Sequence, residues 1–174
     1  MALTRLLYKT VFLLGRWEPG CYKNVEAIFP IARALSYKIR RLKIFILASP
    51  EDIIIPFDLD RVITPIGYLP DDDLNCLMKS VDMGIGVSLW EGFNLPLAEM
   101  QWLRKPVLVF DVGAHPEVIC HPWFLCKDMD DMIYKQQEII INPGDSNAIA
   151  FLQKHGFRKL FDDDKLGILE LEIS

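Results

Sequence analysis

Two carboxylates, Glu91 and Glu99, stand eight positions apart within Ser88–Trp102, with Gly92, Asn94 and Pro96 between them. Proline suits the first turn of a helix, where its missing N–H has no intrahelical partner to lose. Pro96 therefore predicts a helix start, with Glu91 on the preceding loop and Glu99 on the opening turn. The backbone amides of Asn94 and Leu95 are then expected to point free into the same space, as an anion site. Two acceptors around a cradle of donors, at the end of a strand over Met83–Leu89, suit a phosphate flanked by hydroxyl-bearing groups.

The elements that must position this stretch are legible as apolar runs alternating with helical periodicity. Strands are expected over Leu6–Leu14, Leu42–Ala48, Arg61–Ile66, Met83–Leu89, Pro106–Phe110 and Trp123–Cys126. Ile53–Ile55 is ambiguous. Between the strands, helices are expected over Val25–Arg41, capped by Asn24 and kinked at Pro30, over Asp71–Val81, capped by Asp71, and from Pro96 to Arg104. Another follows over Asp128–Ile140. Continuously apolar strands that alternate with helices imply a parallel sheet covered on both faces, an α/β, Rossmann-like, doubly wound fold. Ligands in such sheets bind beyond the carboxyl ends of the strands. Gly15, Arg16, Gly67, Glu91 and Gly113 all fall there.

The last thirty residues read differently. Residues 1–144 are expected to form the Rossmann-like domain, and 145–174 an appendage packed on it. In that appendage Asp145–His155 is helical and Phe157–Ile173 forms two strands around Asp162–Lys165.

Composition bounds the function. The chain has 174 residues, 51% of them hydrophobic, enough for one domain with a sizeable core. Net charge is −5 with scattered basic residues, which excludes a nucleic-acid partner. The exception is the cluster Lys38–Lys43. It suits contact with anionic head groups, or equally the solvated end of a helix whose dipole favours cations. The run Val11–Leu14 behind Arg5 and Lys9 is too short for a signal peptide, and no apolar stretch is long enough to span a membrane. Four cysteines without C-x-x-C spacing predict reduced thiols in a cytoplasmic protein, peripheral at the inner face of the membrane if the basic cluster docks there. His115, Cys120, His121 and Cys126 match no common zinc spacing, so no metal is expected.

Glu91-Gly-Phe-Asn-Leu-Pro-Leu-Ala-Glu99, followed by Lys105-Pro-Val107 and Val112-Gly-Ala-His-Pro-Glu-Val118, resembles the C-terminal, donor-binding domain of family 4 retaining glycosyltransferases, which have the GT-B fold. Gly15-Arg16, Lys23 and Gly67-Tyr-Leu-Pro70 extend the resemblance over residues 10–140, in the family's order. It implies that Arg16 and Lys23 bind the donor diphosphate with Gly15 beside them. It also implies that Glu99 accepts from the ribose hydroxyls and that Glu91 stands beside the transferred sugar. Gly92, Phe93, Asn94 and Leu95 complete the donor side, with the last two amides on phosphate or sugar oxygens. Catalysis would then rest on Glu91, Arg16 and Lys23, with a nucleotide-diphospho-sugar as substrate and neither metal nor cofactor.

The resemblance further implies an N-terminal acceptor-binding domain or subunit as partner. Nothing in the chain could be that domain, so the isolated chain is expected to hold donor without transferring sugar. Asn94 stands where glycine is usual, and asparagine tolerates left-handed backbone better than most residues, so the turn is expected to survive. Asn24 likewise replaces a usual glycine, a change expected to alter the loop around Lys23. Trp90 and Phe93 read as loop anchors and cleft wall, Glu117 as a cap, and His115 as a hydrogen-bonded loop histidine. The tail resembles the closing segment of N-acetyltransferases, but their spaced-glycine acetyl-CoA loop is absent. Two alternatives stay open: a non-catalytic partner or regulatory module that keeps the fold, and half of a sugar-nucleotide epimerase.

Overall fold

Apolar side chains on both faces of a strand require cover on both faces, and the chain supplies it with helices. The computed structural model describes residues 8–141, 157–159 and 169–171. Strands β1 (Lys9–Arg16), β2 (Leu42–Leu47), β3 (Ile63–Pro65), β4 (Met83–Gly86), β5 (Val107–Phe110) and β6 (Leu125–Cys126) form one sheet in the order β3-β2-β1-β4-β5-β6. Every pairing in it is parallel.

The helices are α1 (Ile28–Lys38), α2 (Asp71–Ser80), α3 (Leu95–Trp102), α4 (His115–Val118) and α5 (Met129–Ile141). Alternate residues of β1 divide between two cores. Val11 and Leu13 pack with Ile28, Ile31 and Leu35 of α1 and Met132 of α5. Phe12 and Leu14 pack with Leu77 and Met78 of α2 and Leu97 and Met100 of α3. A fully buried side chain of this size contributes about 1.5–3 kcal/mol, so these two layers hold the sheet. The fold is the α/β, Rossmann-like, doubly wound arrangement expected.

Several boundaries differ for physical reasons. Asn24 does not cap a long helix. It precedes a 3-10 turn over Val25–Ala27, has φ +51°, and forms no side-chain cap. Pro30 is then the third residue of α1, in the first turn, where a missing N–H costs no hydrogen bond. Helix α2 starts at Asp71 after Pro70, so Asp71 is its first residue and not its cap. Strand β4 ends at Gly86, before the expected Leu89, because the chain leaves the ladder to build the loop that carries Glu91. A short helix, α4, occupies part of the stretch expected to be loop.

The expected tail strands are present as an antiparallel pair, β7 (Phe157–Lys159) and β8 (Leu169–Leu171). The expected helix over 145–155 lies outside the described residues.

Candidate functional site

The strand order reverses between β1 and β4, so the loops that follow these two strands diverge from a shared crevice. Each loop is shaped by local constraints. In β1, Phe12 faces Phe45 but Arg16 faces Leu47, so the strand bulges between them. Gly15 sits in that bulge at φ +92°, a conformation side chains rarely adopt, and turns the chain toward the crevice. Arg16 is exposed there and makes no side-chain hydrogen bond or ion pair among the described residues.

The two loops are tied together three times. Leu89 N–H donates to Tyr22 O at 2.8 Å. Asn24 Nδ2 donates to Val87 O at 3.1 Å, the use its left-handed backbone serves in place of helix capping. Lys23 Nζ donates to Glu91 Oε1 at 2.8 Å, with both side chains largely buried. Burial opposes the lysine's charge. The Glu91 hydrogen bond and its negative charge, with smaller contributions from Tyr22 and Glu18, outweigh that and hold the Lys23 pKa above the ordinary lysine value.

A third segment supports the Glu91 loop from below. Ala114 N–H donates to Glu91 O at 2.9 Å. Gly113, at φ +54°, lies so close that a Cβ there would meet Glu91 O at 2.5 Å and Glu91 N at 2.8 Å. The backbone of Glu91 is thus seated on a glycine that no other residue can replace without displacement.

Helix α3 begins as Pro96 predicts, at its second position. Asn94 is the N-cap, with its Oδ1 accepting from Leu97 N–H at 3.2 Å. Its backbone, at φ −86° and ψ 87°, is not left-handed, so the tolerance expected of asparagine is not what this position uses. The amides of Asn94 and Leu95 donate to no group among the described residues, as expected of a helix entrance. Glu99 is half-buried on the second turn of α3, not the opening one. Its carboxylate makes no hydrogen bond or ion pair among the described residues.

Trp90 and Phe93 are not buried anchors. They are 59% and 62% exposed, and Trp90 meets Tyr22 edge to face at 6.2 Å. Gly92 and Leu95 are exposed beside them. Tyr22, Leu89, Trp90, Phe93 and Leu95 thus rim the crevice with apolar surface. Glu117 is exposed on α4. His115, expected on a loop, is the first residue of α4 and fully buried, with both ring nitrogens hydrogen-bonded.

The structure therefore brings Lys23, Glu91, Asn94 and Leu95 to one crevice, with Arg16 on the loop entering it and Glu99 one turn along α3. Sequence reading named Asn24, Gly113 and His115 but not what they do here: Asn24 tying the loop to Val87 O, Gly113 seating the Glu91 backbone, and His115 holding Asn94. For the last two the local signal was the Gly-Ala-His-Pro run, a turn motif with a histidine in it. Among the described residues no group of three or more His, Cys, Asp or Glu side chains is set to hold a metal ion.

The profile of the family "Glycosyl transferases group 1" matches residues 8–151. The chain belongs to that family. Its match to the O-antigen chain mannosyltransferase B of Escherichia coli is 37% identical over 54 residues, 31% of this chain and 14% of that protein. Among solved structures, S. aureus TarM, as a variant in complex with Fondaparinux, alpha-GlcNAc-glycerol and UDP, superposes with a TM-score of 0.67 at 21% identity. That match covers 86% of this chain and 31% of TarM. The C-terminal domain of the group 1 glycosyltransferase LpcC from Francisella tularensis superposes with a TM-score of 0.64 at 20% identity, covering 84% of this chain and 81% of that domain. The chain thus spans a minor part of TarM and of the E. coli mannosyltransferase. Its architecture is that of a GT-B glycosyltransferase C-terminal domain.

Proposed function

We propose that this chain is the donor-binding domain of a retaining glycosyltransferase of family 4, taking a nucleotide-diphospho-sugar. The observation that carries the reading is the Lys23–Glu91 pair, 2.8 Å apart at the switch point of the sheet, beside the open entrance of α3. It places a cation, a carboxylate and unused amides within one crevice. The UDP in the TarM complex supports a nucleotide as the ligand class.

The chemistry follows from where charge develops. When the bond from the anomeric carbon to the diphosphate breaks, its electron pair goes to the departing diphosphate oxygen. Arg16, Lys23 and the amides of Asn94 and Leu95 stabilise that charge more in the transition state than in the ground state. Gly15 lets the Arg16 loop approach the phosphates. Glu99, without a protein partner among the described residues, accepts from the ribose hydroxyls. Glu91 stands beside the sugar, with Gly92 and Phe93 on the same side. The acceptor hydroxyl forms the new bond on the face the diphosphate leaves and passes its proton to the departing diphosphate oxygen on that face, so the anomeric configuration is retained. In this reading the cations and the helix entrance carry the phosphate charge, and no metal is assigned.

The acceptor and the closing wall of the cleft come from an N-terminal acceptor-binding domain or subunit. The four free thiols, three of them exposed, are in keeping with a reducing, cytoplasmic setting. The basic cluster at the end of α1 is suited to peripheral contact with anionic lipid, on the edge of the sheet opposite the crevice.

Calorimetric titration of the chain with UDP, GDP and ADP tests the reading. Binding of at least one, weakened about tenfold or more by Lys23→Ala, is the expected result. A folded chain that binds none of the three sinks it.

A further inference from the structure

His115 and Asn94 form a buried polar relay between the sheet and the entrance of α3. His115 Nδ1 lies 2.8 Å from Phe110 O, at the carboxyl end of β5. A carbonyl oxygen only accepts, so Nδ1 carries the proton. In the neutral ring Nε2 is then an acceptor, and Asn94 Nδ2, 3.1 Å away, donates to it. With its NH2 committed to the histidine, the carboxamide must turn Oδ1 the other way, onto Leu97 N–H at 3.2 Å. His115 is fully buried and Asn94 is 7% exposed, so water does not compete for either group.

Each link has one consistent orientation. Turned over, the carboxamide would set its oxygen against the Nε2 lone pair and its NH2 against the Leu97 N–H. Two like pairs would then face each other at a buried site, where water cannot satisfy either group. The helix would lose its cap, and the peptide planes of the first turn would be free to rotate. Those planes carry the Asn94 and Leu95 amides. The same short helix that begins with His115 follows directly on Gly113 and Ala114, which hold the Glu91 backbone.

We propose that His115 is a positioning residue for the donor site: by accepting from Asn94 it fixes the carboxamide, caps α3, and aims the Asn94 and Leu95 amides at the donor. The inference rests on the donor-site reading above. It assigns His115 no contact with substrate.

A double-mutant cycle tests it, with UDP, GDP and ADP as probes in separate titrations. His115→Phe fills the site without an acceptor and is expected to weaken nucleotide binding roughly tenfold, about the net worth of one buried hydrogen bond. In an Asn94→Gly background, where there is no carboxamide to orient, the same change is expected to have no further effect. His115→Gln, which can place an acceptor near the Nε2 position, is expected to stay within about threefold of the wild type. Ring-nitrogen NMR of the wild-type chain is expected to show the neutral Nδ1–H tautomer, a readout that needs no variant to fold.

The proposal is overturned by an Nε2–H tautomer, or by His115→Phe weakening binding equally when residue 94 is glycine. Thermal unfolding of the same proteins separates a structural role from a positioning one. Coupling between positions 94 and 115 in unfolding midpoint, without coupling in binding, marks a cap and nothing more, and overturns the positioning role. A wild-type chain that binds none of the three nucleotides overturns the donor-site reading instead, whatever the tautomer.

Discussion

At the residue scale, Lys23 and Glu91 meet across 68 positions of sequence. The pair is largely shielded, and its geometry satisfies a lysine that burial alone would disfavour. Because the folded-state pKa of Lys23 is raised, the pair's contribution to stability is fully present below the ordinary lysine value and is lost as pH rises through the raised one. Unfolding midpoints of the wild type and Lys23→Met are therefore expected to differ by the equivalent of about 0.5–1 kcal/mol near about pH 8 and to converge as pH rises past the ordinary lysine range. A difference that grows with pH would contradict the assignment. Arg16 and Glu99, whose side chains make no hydrogen bond or ion pair among the described residues, have no such structural contribution to lose there. Arg16→Ala and Glu99→Gln are expected to leave the unfolding midpoint within about 0.5 kcal/mol while weakening nucleotide binding. Calorimetry beside thermal unfolding checks this, and a loss of stability that matches the loss of binding would speak for a structural role.

At the element scale, the Glu91 loop is held by its neighbours more than by itself. Gly113 shows how tight the seat is, since an added methyl would meet the backbone of Glu91 well inside contact distance at a left-handed φ. Gly113→Ala is expected to destabilise the fold by about 1–3 kcal/mol or to displace the loop. Chemical-shift changes centred on Glu91 and Gly92 would register the displacement, and an unchanged spectrum with unchanged stability would refute the close packing. The elements themselves were largely legible. The runs that became β1, β2, β4 and β5 are apolar on both faces because both faces are covered, and Pro96 marked the start of α3 through its missing N–H. The Asn24 and Asn94 roles were not legible. Both look like caps or turn residues, yet Asn24 adopts the left-handed turn and reaches Val87 O, while Asn94 caps α3 with an ordinary backbone. Their side chains are committed to partners 63 and 21 positions away, which local spacing does not encode. His115 was read as a loop residue because four residues of helix leave almost no periodicity to detect.

At the scale of the whole molecule, charge and chemistry separate to opposite edges of the sheet. The crevice with Lys23 and Glu91 lies at the carboxyl edge. Lys38, Arg40 and Arg41 lie at the amino edge, exposed with Tyr37, which is 91% exposed. If that edge meets lipid, the chain is expected to co-float with vesicles rich in phosphatidylglycerol and not with phosphatidylcholine. Raising salt, or the change Arg40→Glu with Arg41→Glu, is expected to abolish it. Equal flotation with both vesicle types would rule out the charge-driven contact and leave the cluster as a helix end. Among the described residues no helix is long and apolar enough to cross a membrane.

The sequence by itself determined the layer architecture, the strand ends where a ligand would sit, and the helix entrance at Pro96. These follow from apolar periodicity and from the backbone chemistry of proline and glycine, which act over a few neighbouring residues. Only the tertiary structure decided which side chains share the crevice. The crossing order β3-β2-β1-β4-β5-β6 brings the loops after β1 and β4 face to face. It also sets Gly113 under Glu91 and threads a buried histidine between the sheet and the helix cap. Such pairings depend on distances of a few ångströms between residues far apart in the chain, and those distances exist only once the sheet has closed.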